Sequence, residues 1–372
     1  MPIVAVICEY NLFHNGHARL LDMVRQRFGP DTVILSLMSG NFTQRGIPAA
    51  TDKYTRAHAA LLHGSDLTLE LPLPYACAPA QQFAQGAVDL LAALGAVDHL
   101  AFGSECGDLA LLQTAAERRS SDDFERALSA ALSGADADES FLRVRERVYA
   151  ECYGALDLAP NDQLAVEYLT ALRATAITPA VFPRTGGESA TAARAAFLAR
   201  EEQTLAALVP PAALKLYRDA PHASEQSLSR AVLYRLRTAD PEELAQCAGM
   251  THALAYRLRR LALESADIDG FFARAATKKY TRARMRRAVI ACMLGVREQD
   301  YARPAYTLLL SASKRGREAL RTLRAHAQIP IYDKGVQIDD PLSERSDALY
   351  TLALENPVDA GMILRKSPRI EK

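Results

Sequence analysis

The first hundred residues alternate two hydrophobic periodicities. Residues 3–8 (IVAVIC) are a short unbroken apolar run, as expected of a strand buried on both faces. A polar loop over 9–16 leads into 17–28, where Leu20, Leu21 and Val24 recur at helical spacing until Gly29-Pro30 stops the helix. The alternation continues with a strand over 32–38, a Gly-, Asn-, Thr- and Pro-containing loop over 39–50, a helix over 53–63, a strand over 67–71, a helix over 80–94 and a strand over 99–102. Such alternation predicts a parallel sheet with helices on both faces. Ligands of such sheets sit outside the carboxyl ends of the strands.

Residues 108–154 read as mainly helical with a polar break at 133–138, followed by a helix at 161–174. A last strand at 177–182 leads through 184–188 into a helix at 190–198. From about residue 201 the pattern is almost all helical, with helices at 227–236, 241–247, 253–263, 268–276 and 281–293. The expected class is α/β: a parallel-sheet domain over 1–200, then a mostly α-helical domain over 201–372.

Composition fits two globular units: 372 residues, 49% apolar and 24% charged, which excludes a wholly disordered chain. The apolar run at 3–8 is too short for a signal-peptide core, and no Lys or Arg precedes it. No apolar stretch approaches the roughly 20 residues of a membrane span. A cytoplasmic protein without a membrane partner is the expectation. The six cysteines (8, 77, 106, 152, 247 and 292) form no C-x-x-C pair, so free buried thiols are expected rather than a disulfide or zinc framework.

The sharpest local feature is Cys8-Glu9-Tyr10-Asn11-Leu12-Phe13-His14-Asn15-Gly16-His17, which joins the first strand to the first helix. Two histidines flank a glycine as H-x-G-H. The free N–H groups and dipole of a helix start attract anions, and Gly16 permits close approach of the backbone. His14 and His17 can donate hydrogen bonds to phosphate oxygens and stabilise charge on a pentacoordinate phosphorus. The other histidines (58, 63, 99, 222, 252 and 326) show no ligand spacing and read as structural or surface residues. Glu105 and Asp108 read as solvated or capping carboxylates, and no metal-ligand set is predicted.

H-x-G-H after a first strand resembles the nucleotidyltransferase superfamily. The longer string from Glu9 to His17 resembles one family within it, tRNA(Met) cytidine acetate ligase. Further matches keep the family's order: Met38-Ser39-Gly40-Asn41-Phe42-Thr43-Gln44-Arg45-Gly46, Glu70-Leu71-Pro72, Phe102-Gly103-Ser104-Glu105-Cys106-Gly107-Asp108, Pro160-Asn161, Arg184, and Ser189-Ala190-Thr191-Ala192-Ala193-Arg194. The match is close over 3–110 and loosens after 200, where Lys278-Lys279-Tyr280-Thr281 stands out. Leu12 stands where the family usually has proline, and Asn41 where it often has histidine.

The resemblance implies a Rossmann-like nucleotidyltransferase domain and a two-step reaction. ATP and acetate form acetyl-adenylate and pyrophosphate. The acetyl group then passes to N4 of the wobble cytidine of elongator tRNA(Met), giving N4-acetylcytidine and AMP. It also implies a site. His14 and His17 are the catalytic pair. Ile7, Cys8, Glu9, Tyr10, Asn11, Phe13, Asn15, Gly16, Gly103, Asn161, Arg184, Ser189 and Thr191 complete the ATP-binding set. Mg²⁺ is expected with ATP as substrate, and no tightly bound cofactor.

The net charge is zero, 44 basic against 44 acidic residues, yet it is unevenly spread. Residues 1–252 hold 21 Lys/Arg and 30 Asp/Glu, whereas 253–324 hold 17 and 6, a net of +11. The basic stretch carries Arg257, Arg259, Arg260, Lys278, Lys279, Arg282, Arg284, Arg286 and Arg287, with Tyr256 and Tyr280 nearby. Clustered cations suit an RNA backbone, and tyrosines stack on splayed bases. Lys278, Lys279, Arg282 and Arg286 are the expected RNA contacts. Two alternatives remain from sequence: a small-molecule adenylyltransferase making a dinucleotide cofactor, and a non-catalytic RNA-binding factor with a vestigial nucleotide site.

Overall fold

The computed structural model describes residues 1–134, 141–184, 190–277 and 280–371. The N-terminal strands are β1 (Ile3–Cys8), β2 (Val33–Ser39), β3 (Leu67–Leu71), β4 (His99–Ser104) and β5 (Thr178–Pro183). They form five adjacent parallel strands in the order β5-β4-β1-β2-β3. The chain winds from β1 to β3 on one side and crosses to β4 on the other. The topological switch therefore lies between β1 and β4, where the carboxyl ends open a crevice. Every residue of β2 is buried, as its apolar run requires.

The helices of this half are α1 (Asn15–Phe28), α2 (Lys53–Leu61), α3 (Ala80–Ala93), α4 (Leu109–Arg119), α5 (Asp122–Ser133), α6 (Phe141–Tyr153), α7 (Pro160–Leu172) and α8 (Ala190–Leu198). The pleat of β1 sorts its side chains into two cores. Val4, Val6 and Cys8 join the cluster of α1 and α2. Ile3 and Ala5 join that of α3 and α7.

The second half supplies α9 (Glu202–Leu208), α10 (Pro211–Arg218), α11 (Ser229–Thr238), α12 (Pro241–Ala245), α13 (His252–Leu263), α14 (Ile268–Ala275) and α15 (Arg282–Leu294). After these come β6 (Thr307–Ala312), α16 (Lys314–His326), β7 (Ile331–Tyr332), α17 (Pro341–Ala353) and β8 (Arg369–Ile370). The described residues of 201–372 are mostly helical, as expected, with three short strands that the sequence reading did not include. Strand β6 pairs antiparallel with β3, and β7 and β8 pair with β6. The run TLLLSA is buried throughout. It is too short to be told from a helix segment by periodicity alone.

The two halves share one core. A single cluster runs from Val4 and Phe13 through Tyr217, Val232 and Phe272 to Ile363. Lys53 staples α17 to the sheet: its ammonium lies 2.9 Å from Glu70 and 3.2 Å from Asp347, with 1% of the lysine side chain exposed. Asn41 joins this group by donating to Asp347 at 2.8 Å. The cysteine expectation holds for four positions, whereas Cys106 and Cys152 are exposed.

The loop after β2 meets α15 at Gly46. Its φ is +72°, and an added Cβ would lie 2.5 Å from the backbone nitrogen of Arg287. A residue with a side chain is strained there twice over, by conformation and by contact. Gly46→Ala is expected to lower the unfolding free energy by at least about 2 kcal/mol. Denaturant titration checks this; an unchanged midpoint at constant slope would contradict the close approach.

Candidate active site

Strand β1 delivers the loop 9–14 to the crevice. Tyr10 adopts φ 44°, and its hydroxyl bonds Ser36 at 2.8 Å in the interior. The Asn11 side-chain oxygen accepts the Ala50 N–H at 2.8 Å. The Phe13 N–H donates to the hydroxyl of Tyr217 on α10 at 3.0 Å. Cys8, Tyr10, Asn11 and Phe13 are thus buried supports, and a nucleotide could meet them only through the main chain. Ile7 and Glu9 are half-buried. Leu12, in the family's proline position, is fully buried.

His14 is the N-cap of α1. Its Nδ1 accepts the Gly16 N–H at 3.0 Å, and the Nδ1 of His17 accepts the His14 N–H at 3.2 Å. These two bonds form a capping box built from histidines instead of the usual hydroxyl and carboxylate. They also fix chemistry. A ring whose Nδ1 is an acceptor carries its neutral-state proton on Nε2. In its neutral form each histidine therefore carries its proton on Nε2, and the ring centroids lie 3.9 Å apart. Tyr10 packs edge-on against His17 at 4.9 Å and holds its plane.

Burial pulls the His17 pKa well below its ordinary 6.5, and the neighbouring His14 and Arg184 push it further. His17 is a neutral donor at pH 7. The helix-start amides are largely engaged by the loop itself: those of His17 and Ala18 bond the His14 carbonyl at 2.9 and 3.2 Å. The expectation of free N–H groups narrows to Asn15, whose N–H takes no partner among the described residues. The Asn15 side chain donates to Ala207 of α9 at 3.2 Å.

Across the crevice, the end of β4 is held by a residue the sequence reading passed over. Asp162, 3% exposed, accepts the Ser104 hydroxyl at 2.5 Å and the amides of Glu105 and Cys106 at 2.9 and 3.3 Å. This fixes the turn that presents Gly103 and Glu105. Asn161 donates to the Glu105 carboxylate, and Arg184 Nε lies 3.7 Å from the same oxygen. The stem of Arg184 covers Gly103, where a Cβ would come within 3.0 Å of it. The structure thus gathers Gly103, Asn161 and Arg184 around Glu105. Asp108 caps α4, as expected of a capping carboxylate.

Glu9 is the other gathering point. It accepts the Gln44 N–H at 2.8 Å, and burial raises its pKa against the pull of Arg56, Arg45 and Arg194. Thr191 is exposed in the first turn of α8, one turn before Arg194. Ser189 lies outside the described residues.

The basic stretch is more committed than its charge suggests. Arg282 pairs with Asp269 at 2.7 Å, Arg286 forks onto Glu225, and both lie over the ring of Phe272. Arg257 caps the end of α14 by donating to Ala275 and Arg274 carbonyls at 2.8 and 3.0 Å. Arg284 stacks over Tyr280 at 4.9 Å. Lys278 and Lys279 lie outside the described residues.

A doubly wound parallel sheet with paired histidine donors at the start of its first helix defines a nucleotidyltransferase of the H-x-G-H class. The family model described as HIGH Nucleotidyl Transferase matches residues 1–360. The tRNA(Met) cytidine acetate ligase of Levilactobacillus brevis is 33% identical over the whole of both chains. That of Exiguobacterium sibiricum is 34% identical over 89% of this chain and 88% of its own. The crystal structure of Thermotoga maritima TmcAL bound with alpha-thio ATP superposes with a TM-score of 0.89 at 26% identity, covering 100% of this chain and 99% of that one. This chain belongs to the HIGH nucleotidyl transferases and, among them, to the tRNA(Met) cytidine acetate ligase family.

The His17 shift has a sign. The unfolded chain takes up a proton near pH 6.5 that the native His17 refuses. Stability is therefore unaffected above that pH and falls as pH drops from 6.5 towards the lower native value. The loss is at most about 1.4 kcal/mol per pH unit. His17→Asn is expected to flatten this slope in denaturation curves taken from pH 7.5 to 5; an identical slope in both proteins would show that His17 is not held neutral.

Proposed function

We propose that this protein is an ATP-dependent ligase that activates acetate and acetylates N4 of the wobble cytidine of elongator tRNA(Met). The observation that carries the reading is the histidine capping box. It leaves the neutral-state proton of each ring on Nε2 at the start of α1, and relatives covering the whole chain are named for this activity. In the first step an acetate oxygen attacks the α-phosphorus and pyrophosphate leaves. His14 and His17 would donate to the phosphate oxygens, His17 as a neutral imidazole. Arg184 would supply positive charge, and Asn161 and Gly103 would bound the nucleoside. Such a transfer depends on in-line positioning and charge stabilisation more than on an acid–base pair. In the second step the cytidine amine attacks the acetyl carbon. The new N–C bond forms as the C–O bond to phosphate breaks, AMP leaves, and the amine gives up a proton.

Mg²⁺ would arrive with ATP, held by the phosphates. Among the described residues no group of three or more His, Cys, Asp or Glu could hold a metal ion. Residues 1–200 would perform activation. Residues 201–372 would hold the tRNA, with Lys278, Lys279, Arg282 and Arg286 at its backbone. No helix among the described residues is long and apolar enough to cross a membrane, and the cytoplasm, where tRNA is modified, is the proposed location.

The deciding assay incubates protein, ATP and labelled acetate with and without tRNA(Met). Label in tRNA supports the ligase. ATP turnover with label absent from tRNA would point to another acceptor. His17→Ala, folded, is expected to lose acetylation by at least about a hundredfold, the scale of removing one transition-state donor; retained activity would overturn the phosphate-site assignment. Binding of tRNA is expected to weaken steeply, by about a thousandfold for six phosphate contacts, between 50 and 200 mM salt. A flat response in filter binding would deny the backbone contact.

A further inference from the structure

The cation beneath the site has no part in the reading above. Arg56, on α2, exposes none of its surface. Its Nε donates to the Thr51 carbonyl at 3.0 Å. Its Nη1 donates to the carbonyls of Glu9 and Ser39, the latter at 3.1 Å, and its Nη2 to that of Gly40. Glu9 immediately follows β1; Ser39 ends β2, and Gly40 follows it. One guanidinium therefore closes the carboxyl edge of two neighbouring parallel strands, on the side of β1 away from β4.

All four acceptors are main-chain carbonyls, and no carboxylate among the described residues reaches ion-pair distance. Asp52 and Glu9 act on Arg56 only from further away. Asp52 is itself paired to Lys366 at 3.1 Å, and Glu9 is faced by Arg45 and Arg194. Burying a guanidinium without a carboxylate partner is costly. The carboxyl edge of a parallel sheet also points its carbonyl oxygens outward, towards the place where an anionic ligand sits. Exposed oxygens there would repel phosphate. The Glu9, Ser39 and Gly40 oxygens are instead turned onto the Arg56 cation.

We propose that Arg56 is a positioning residue for nucleotide activation, fixing the exits of β1 and β2 and supplying positive charge beneath the ATP phosphates. The inference rests on the loop 9–17 being the ATP site. Two roles are separable by substitution. Arg56→Gln removes the charge. Arg56→Lys keeps the charge but loses the planar fork, which three tetrahedral donors cannot imitate.

The test measures affinity for ATP and for adenosine by calorimetry, and acetate-dependent ATP–pyrophosphate exchange. Folded Arg56→Gln is expected to lose on the order of tenfold in ATP affinity and about twofold or less in adenosine affinity. Folded Arg56→Lys is expected to keep ATP affinity within about threefold and to lose exchange turnover by about tenfold or more. Equal losses for ATP and adenosine, or no loss, would overturn the proposal, because a merely structural role moves both ligands together. Should neither variant fold, the wild-type protein decides. The side-chain N–H resonances of Arg56 should shift on adding ATP and stay in place on adding adenosine; resonances unmoved by ATP would overturn it. Wild-type protein that binds no ATP at all would instead refute the reading of the loop.

Discussion

The structure depends on how the carboxyl edge of its sheet is held. Strands β1 and β2 each end in a loop that must turn sharply, and neither loop has regular structure to absorb its carbonyls. Arg56 absorbs four of them at once. Everything at the site hangs from those two exits. The first leads through Tyr10 and Phe13 into the histidine capping box. The second leads through Asn41 and Gln44 to Gly46, where the helical half docks. A buried polar network is worth keeping only when all its members are satisfied, and here the satisfied members are backbone groups of loops.

A second buried cation does related work. Lys53 lies one turn before Arg56 on α2 and takes carboxylates where Arg56 takes carbonyls, pairing with Glu70 and Asp347. Burial works against its charge, yet the two carboxylates hold its pKa above the ordinary lysine range. Arg56 thus ties loops of one sheet together, while Lys53 ties the sheet to a helix nearly three hundred residues later. With β6 beside β3 and Tyr217 on Phe13, these contacts explain why the two halves share one core. The helical half is thereby held to the loops that follow β1 and β2.

Much of this was legible. The five parallel strands and the loop between the first strand and first helix follow from period-2 and period-3.6 patterns and from Gly29-Pro30. Strand β6 was not legible, because its apolar run sits among helices and pairs with a strand far away in sequence. Asp162 was missed because its carboxylate acts on amides of another element, and nothing local marks an N1–N3 acid as such a clamp. Nothing local marks Lys53 and Arg56 as buried cations. The spacing K-x-x-R gives no sign that both are buried, since that depends on the carbonyls and carboxylates brought to them by folding. The net of +11 was legible as a sum but not as a surface: Glu225 and Asp269 lie outside the eye of a charge count, and they occupy Arg282 and Arg286.

The histidines change meaning most between sequence and structure. As a motif they suggest cationic help for a pentacoordinate phosphorus. As placed, each has its Nδ1 committed to a backbone amide, and His17 is held neutral by burial and by cationic neighbours. A neutral His17 offers direction rather than charge. Positive charge near it sits in guanidiniums that cannot lose a proton at working pH, with Arg184 close enough to push the His17 pKa down. A neutral ring keeps its Nδ1 an acceptor for the His14 N–H. That lets the capping box do what a cap must do, which is to start α1 in one fixed orientation.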